Sequence, residues 1–491
     1  MHKLIAALAV ACALSFAATA SAVDFGANDD TGKFAEDGGV EFFSQMAAAG
    51  LKQNVITVRW TPGSTEIPDR ELLERAVPAA TEAGIRPVFA VYPYPPSAVE
   101  TAWAGPSGFA DWLESVARAF PQVTTYIVGN EPNLNTFWRP QGNRKGAIRS
   151  GAAFGPYLAA GYDALKGVSR KITVLGVGAS PRGDRAPGRA GKSSPMHFIS
   201  SLGAWYRKSH RRAPLMDGFS FHPYPSPSNF KVPFGFTYSW PNAGLHELRR
   251  VKQALWDAFA GTPQATTVGG LKLYLDEVGW QVGVSRWRGY EGVENVRVTT
   301  EKAQAAIYGQ LVRFVACDPA VAELNFFGYY DDDALGGWQS ALRRVDGTAR
   351  PAHKAVAAAI AATGGRCRGK LRRWTPLRRP DAAKVEFGAF KGVQAGSSRR
   401  FWFKATAAED IVVRAGLVPA RTPLARIQTF LRAAGTVNAY RRPLLKVAAR
   451  PQSGRQVLVV SVAAKLSPRR VAIFRSPAFL VTKAQLKRTG A

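Results

Sequence analysis

From residue 23 onward, short runs rich in Val, Ile and aromatic residues alternate with stretches in which apolar residues return every three or four positions. Candidate strands begin near Val23 (VDFGA), Val55 (VITVRW), Pro87 (PVFAVY), Val123 (VTTYIVGN), Ile172 (ITVLGVGA), Gly218 (GFSFH), Leu271 (LKLYLDE) and Val321 (VAELNFFGYY). Between them, Phe109, Trp112, Leu113, Val116 and Phe120, and later Leu248, Val251, Leu255 and Phe259, fall on single helical faces that can each cover a sheet. Eight strand-helix units of this kind predict a parallel sheet with crossover helices.

The connections are asymmetric. Helix-to-strand links are short (AAAGLKQN, EAGIRP, AFPQ), whereas strand-to-helix links are long, at residues 132–150, 179–195, 223–245, 279–298 and 329–350. A (β/α)8 TIM barrel carries its working residues on the loops at the strand C-termini and leaves the other face for stability. The pattern therefore predicts an α/β barrel with its site among those loops. A doubly wound open sheet is the competing fold, disfavoured because no Gly-rich nucleotide loop follows the first strand.

The helical stretch PAHKAVAAAIAAT stops at Gly364-Gly365, and the pattern then changes to alternating runs (KVEFGAF, RRFWFKA, DIVVRAG, QVLVVSVAAKL, RVAIFRSPAFLV). This predicts a small all-β, β-sandwich-like domain in which only IQTFLRAAG reads as helical, with residues 366–380 as linker or first strand. The expected organisation is a signal peptide over residues 1–22, a barrel over 23–365 and a β-rich domain over 366–491.

The first 22 residues have a short basic start, an apolar stretch and an Ala20-Ser21-Ala22 exit, the layout of a secretory signal cut after Ala22. Ala9-Val10-Ala11 leaves too little apolar sequence before Cys12 for a lipidation signal. No later segment offers the roughly 18 unbroken apolar residues of a membrane span. The mature chain is thus expected outside the cytoplasm, where Cys317 and Cys367 are free to pair. In a barrel both cysteines fall at the bottom on neighbouring elements, which favours a bridge over two unrelated thiols.

Charge changes the picture of the C-terminal part only. The 491 residues include 65 Lys/Arg and 35 Asp/Glu, a formal net charge of +30. Residues 366–491 hold 28 of those bases and four of the acids, a net +24 that leaves +6 for residues 1–365. A surface of that kind suits an anionic cell-wall polymer or acidic polysaccharide, the alternative being a merely solubilising, Arg-rich composition. No nucleic acid is expected as partner, since export and the lack of an aromatic-basic motif argue against it.

The chemistry concentrates at two strand ends. Val128-Gly129-Asn130-Glu131-Pro132-Asn133 puts a carboxylate at the end of strand four, and Leu275-Asp276-Glu277-Val278-Gly279-Trp280 puts another at the end of strand seven. Two carboxylates across one barrel mouth are what retaining glycoside hydrolysis needs, one as acid and one as nucleophile, at a spacing of about 5–5.5 Å. Either motif alone is equally a helix cap or an Arg partner; the pair on strands four and seven is specific. Sugar rings present apolar C–H faces, so rigid, partly exposed aromatics make platforms for them. Trp60, Tyr92, Trp138, Trp240, Trp280, Trp287, Tyr329 and Trp338 are candidates, each with core packing as the alternative.

On these residues the barrel, over roughly residues 23–363, resembles clan A glycoside hydrolases, most of all the families 5 and 39 group. The resemblance implies a glycosidase cleaving O-glycosidic, β-linked bonds of a poly- or oligosaccharide, and the signal sequence implies that it is secreted. It implies Glu131 as a general acid/base with raised pKa, Glu277 as nucleophile, and Asn130 as donor to the sugar 2-hydroxyl. Arg59, in Val-Arg-Trp at the end of strand two, matches the arginine that holds the nucleophile ionised. Phe221-His222-Pro223-Tyr224 matches a His-x-Tyr arrangement, with His222 on the acid/base side and Tyr224 on the nucleophile. Strand eight departs from the pattern: Phe326-Phe327-Gly328-Tyr329-Tyr330-Asp331 stands where a Trp beneath the sugar is common, so Phe327 or Tyr329 is expected to substitute, and the sugar itself stays open. The Asp331-Asp332-Asp333 run reads as solvated. A barrel that binds carbohydrate without cleaving it, held on an anionic surface by its basic domain, is the alternative. No zinc-type Cys/His cluster, P-loop, Gly-x-Ser-x-Gly elbow or dinucleotide fingerprint is present, so neither metal nor organic cofactor is expected.

Overall fold

The computed structural model describes residues 22–101, 105–188, 190–226, 238–294, 296–388, 400–449 and 451–483. The signal sequence expected at residues 1–22 lies, except for its last residue, outside the described residues. Eight parallel strands close in sequence order: β1 (Asp24–Asn28), β2 (Gln53–Trp60), β3 (Arg86–Pro93), β4 (Thr125–Val128), β5 (Thr173–Ala179), β6 (Gly218–Phe221), β7 (Lys272–Val278) and β8 (Val321–Phe327), with β8 returning to β1. The covering helices are α1 (Val40–Ala48), α2 (Arg70–Glu82), α3 (Gly105–Ala119), α4 (Ser150–Val168), α5 (Pro195–Ser209), α6 (Leu248–Phe259), α7 (Glu301–Ala316) and α8 (Pro351–Thr363).

The strands are buried on both faces, which is why they read as nearly continuous apolar runs. Val55, Val88, Ala90, Ile127 and Leu175 meet inside the barrel, while their neighbours Ile56, Phe89, Tyr126 and Val174 face the helices. Helix α3 shows how the outer layer is bought with sequence: Phe109, Trp112, Leu113, Val116 and Ala117 share one face and all are buried. Each large side chain so removed from water stabilises the fold by about 1.5–3 kcal/mol. At the seam the Val23 amide donates to the Gly365 carbonyl at 2.9 Å, tying the start of the barrel to its end.

Cys317, just past α7, is bridged to Cys367, just past α8, with Cα atoms 4.5 Å apart. The loop so closed spans 50 residues and contains β8, α8 and the long loop between them. Cys367→Ser is expected to lower stability by about 2–4 kcal/mol through loop-closure entropy. Guanidinium unfolding of the variant beside wild type, both non-reduced, checks this; equal midpoints would show that the bridge adds nothing.

The following strands are all antiparallel: β9 (Lys384–Phe387), β10 (Arg400–Thr406), β11 (Ile411–Pro419), β12 (Arg432–Val437), β13 (Leu444–Ala448), β14 (Gly454–Ala464), β15 (Ser467–Arg475) and β16 (Phe479–Val481). One sheet has the order β13-β10-β9; the other has β12-β11-β14-β15, with β16 also on β14. Phe403, Val447, Ile411, Val413, Leu458, Val460 and Val462 form one core shared by the two sheets, the packing of a sandwich. IQTFLRAAG departs from its expected helix: helical turns end at Phe430, and Arg432–Val437 instead pair with β11. Residues 366–380 form no strand and run along the barrel, where the Arg372 amide donates to the Cys317 carbonyl at 2.7 Å and the Leu377 amide to the Gln253 side chain at 2.8 Å.

Candidate active site

The loops after β4 to β8 enclose a cavity of about 410 Å³ at the strand C-termini, within the usual range of roughly 300–1,000 Å³ for small-molecule sites. Asn28, Tyr92, Asn130, Glu131, Tyr224, Glu277, Phe327 and Trp338 all line it.

Glu131 reaches the cavity through a turn that ordinary strand geometry does not permit. Gly129 has φ +119°, and a Cβ there would stand 2.7 Å from the Val177 carbonyl oxygen. Glu131 itself has φ +43°, and its amide donates to the Gly178 carbonyl at 2.7 Å. Strain of this kind collects at functional sites, where the surroundings must hold it. Asn133, fully buried, does so: its amide donates to the Ser180 and Ser193 carbonyls at 3.2 and 2.9 Å, and its oxygen accepts from the Ser180 amide at 2.8 Å.

Glu277 reaches the cavity by another device. Neighbouring strand residues normally face opposite sides, yet the β7–β8 register shifts between Leu275 and Val278. This irregularity lets both Asp276 and Glu277 serve the mouth, a common use of bulges beside active sites. Asp276 is buried beneath, accepting from the Ser220 hydroxyl at 2.6 Å and facing His222 Nε2 at 3.2 Å.

His222 joins the acids. Its Nδ1 lies 3.1 Å from Glu131 Oε1 and 3.2 Å from Glu277 Oε2, and the ring is 1% exposed. Glu277 also accepts from the Tyr224 hydroxyl at 3.0 Å and from the Asn28 amide at 3.1 Å. The two glutamates approach so that a carboxylate oxygen of each lies within 4.8 Å of the other, and each keeps 14% of its side chain accessible.

Burial opposes charge on His222, but Glu277 and Asp276 outweigh it and raise the imidazole well above its usual range. Burial likewise pushes the Glu277 carboxyl up, to about 8; His222 opposes that shift, and Glu131 and Asp276 add to it. Glu131, His222 and Glu277 are close enough to surround a cation. An imidazolium that faces carboxylates from both nitrogens has no lone pair to offer a metal, so the donor set suits a proton network instead.

The structure brings Glu131, Glu277, Asn130, Tyr224 and Tyr92 to one cavity with His222 buried against the two acids, and four predicted residues do not line it. Arg59, one residue before the end of β2, has an exposed side chain whose guanidinium lies over the Tyr94 ring at 5.2 Å and whose charge is felt by the Tyr92 hydroxyl; the cation in contact with Glu277 is His222. Trp138 is 2% exposed because its ring is packed edge-on against Phe154 and Tyr157, both at 5.0 Å. Trp280 is 1% exposed and turned towards Tyr308. Tyr329 is fully buried against Phe42, its hydroxyl 3.2 Å from His353 Nε2. None of these three rings presents a face to the cavity. Among the other aromatics, Trp60 is buried in the core, Trp287 is covered by the Arg344 guanidinium at 3.7 Å, and Trp240 lines a different cleft.

The missing strand-eight Trp is replaced by two rings. Phe327 and Trp338 lie 5.9 and 4.9 Å from Tyr224 and 5.7 Å from each other, forming an aromatic wall with Trp338 still 37% exposed. The Asp331-Asp332-Asp333 run supports it and is not uniformly solvated. Asp331 is buried in an ion pair with Arg350, and Asp332 Oδ2 accepts from the Trp338 amide at 2.8 Å. Sequence reasoning gave no role to Asn28, Asn133 or Asp276; the signal available was a polar residue at or near a strand end.

No protein-family model matches this chain, and no curated protein sequence does. Solved structures with a related fold include a family 39 glycoside hydrolase from Bacteroides cellulosilyticus WH2 (16% identity, 87% of this chain and 80% of that one, TM-score 0.46). GH5_18 from Streptomyces cattleya in complex with GlcNAc matches at 17% identity over 74% of this chain and 83% of that one, TM-score 0.46. Native xylanase 10B from Thermotoga maritima matches at 13% identity over 69% and 94%, TM-score 0.42. The chain is a (β/α)8-barrel protein with paired carboxylates at the barrel mouth, followed by an antiparallel β domain.

Proposed function

We propose that the protein is a retaining glycosidase that cleaves O-glycosidic, β-linked bonds of a poly- or oligosaccharide. The observation that carries this reading is that Glu131 and Glu277 meet at His222 Nδ1 with their nearest oxygens within 4.8 Å of each other, a close pairing of the kind retaining enzymes use at about 5–5.5 Å between carboxyl groups, whereas inverting ones stand about 6.5–9.5 Å apart to fit a water. Glu277 attacks the anomeric carbon while Glu131 gives its proton to the departing oxygen, leaving a glycosyl ester on Glu277. Glu131, now ionised, takes a proton from water, which attacks the same carbon and releases the ester with the original configuration. Asn130 supports the sugar from beside Glu131, and Tyr92, Phe327 and Trp338 offer it apolar faces. Hydrolysis of a panel of aryl glycosides and β-linked polysaccharides tests the reading, with Glu277→Ala alongside: turnover that vanishes in the variant supports it, and equal turnover removes it.

The proton count gives a pH dependence. The reaction needs one proton on the pair Glu131 and Glu277, which meet at His222 Nδ1, and burial holds a proton on Glu277. Glu277 lies above its ordinary value, at about 8; the pair keeps one proton below that pH and loses it above. kcat/KM is therefore expected to fall as pH rises through about 8. The decline should disappear for a dinitrophenyl glycoside, whose leaving group needs no acid in the first step. An alkaline limb that persists unchanged with that substrate would assign the ionisation to another group.

We further propose that the chain is exported, with cleavage after Ala22, and that its C-terminal domain rests on an anionic wall polymer. Of the four acids in residues 366–491, Glu409 is paired with Arg470, Asp410 with Arg185 and Glu386 with Arg442, leaving little negative charge opposite 28 basic residues. The mass of the mature chain from culture medium tests the first part. Retention of the full chain on an anionic polymer, lost steeply with salt, tests the second.

A further inference from the structure

The cavity is electrically lopsided. Arg182 and Lys192, both exposed and both from the loop after β5, line the wall next to Glu131. Lys192 forms a backbone bridge with Leu134, three residues beyond Glu131, which fixes it on the side where the acid/base stands. Tyr238, on the same wall, feels the charges of both Arg182 and Glu131. Among the described residues neither the Arg182 guanidinium nor the Lys192 ammonium makes a hydrogen bond or ion pair; nearby Asp184 has its carboxylate turned to the Lys192 backbone N–H at 3.3 Å. Among the described residues, no such cation lines the opposite wall. Gly279, Gln281, Val296, Phe327 and Trp338 form it, and Gln281 donates to Glu294 at 3.2 Å.

We infer that the leaving-group half of the cavity binds a sugar residue bearing a carboxylate, so that the substrate is an acidic polysaccharide cut on the non-reducing side of a uronate. This rests on the glycosidase reading for what is cut, but not for what is bound. Two donors of positive charge on one wall, with Glu294 behind the other, orient such a chain: the uronate sits beside Glu131, and the sugar over Glu277, Phe327 and Trp338 is neutral. The planar guanidinium of Arg182 suits a carboxylate by two parallel hydrogen bonds, and the Lys192 ammonium adds a point charge.

The test is calorimetry on the full-length Glu277→Gln protein, which does not consume its ligand. The probes are glucuronate-, galacturonate- and mannuronate-containing oligosaccharides, each beside its carboxyl-reduced neutral counterpart. At least one acidic member is expected to bind tenfold or more tightly than its reduced form, a preference that shrinks with salt and falls to near one in Arg182→Gln/Lys192→Gln, since charge-assisted hydrogen bonds contribute on this scale. Acidic and reduced forms binding alike across the set, or a preference that survives the double variant, would overturn the proposal. Turnover of the same oligosaccharides by wild type is read separately: neutral chains cut as well as acidic ones leave the glycosidase reading standing without the uronate site. Acidic chains bound selectively but never cut leave the site standing without the glycosidase.

Discussion

Glu277→Ala is expected to reduce turnover of every accepted glycoside by at least about 10⁴-fold, since residues acting as one covalent unit lose nearly all their effect when one is removed. The residual protein is informative when azide is supplied. Without the Glu277 side chain the face beneath the anomeric carbon is open, and azide attacks there while Glu131 still protonates the leaving oxygen, giving a glycosyl azide of inverted configuration. Glu131→Ala should behave differently. Its first step survives on a dinitrophenyl glycoside because the leaving group needs no proton, so the glycosyl ester accumulates on Glu277 and azide captures it with retained configuration. Opposite product stereochemistry in the two variants, read by NMR, assigns the nucleophile and the acid. The same stereochemistry in both, or near-normal activity in either, would remove the two-carboxylate mechanism.

The barrel was legible because its strands are buried on both faces and its helices on one, so burial wrote itself into the period of the sequence. The two glutamates were legible for a related reason: an acid directly after a buried strand has few places to go except the mouth. What periodicity cannot say is which way a loop residue faces. Trp138 and Trp338 look alike in sequence, each on a long loop, but Phe154 and Tyr157 enclose the first while Asp332 and Tyr224 hold the second upright at the cavity. Tyr329 and Phe327 differ by two positions, yet one is buried beside Phe42 and His353 and the other lines the cavity. Gly328, between them, has φ +82°, so the strand alternation that would give them one face has already ended.

Arg59 shows the same limit for charge. A cation at a strand end is a natural partner for Glu277, but the side chain turns to Tyr94, and the position is filled from β6 by His222. The resemblance gave His222 a place beside the acid/base only. Its contact with three carboxylates at once emerges from the β7 irregularity, which brings Asp276 and Glu277 to the same imidazole and which no motif records.

His222→Ala should therefore cost more than a hydrogen bond. The side chain is 1% exposed and is the cation among Glu131, Asp276 and Glu277; removing one member of a buried charged cluster leaves the rest uncompensated, at about 3–5 kcal/mol. The sign with pH follows from the shift. The folded-state pKa of His222 is raised well above its ordinary value of 6.5, so the stability it contributes is fully present below that value and is lost only as pH rises through the folded pKa. Thermal unfolding of wild type and variant is therefore expected to differ by roughly 5 °C near pH 6 for a chain of this size, and by progressively less as pH rises through the folded-state pKa of His222. Activity should fall as well, because the negative charge that Glu277 needs for attack is held by that imidazolium. A deficit in melting temperature that does not shrink at alkaline pH would mean that His222 stabilises the site by packing, and that the glutamates set their charge without it.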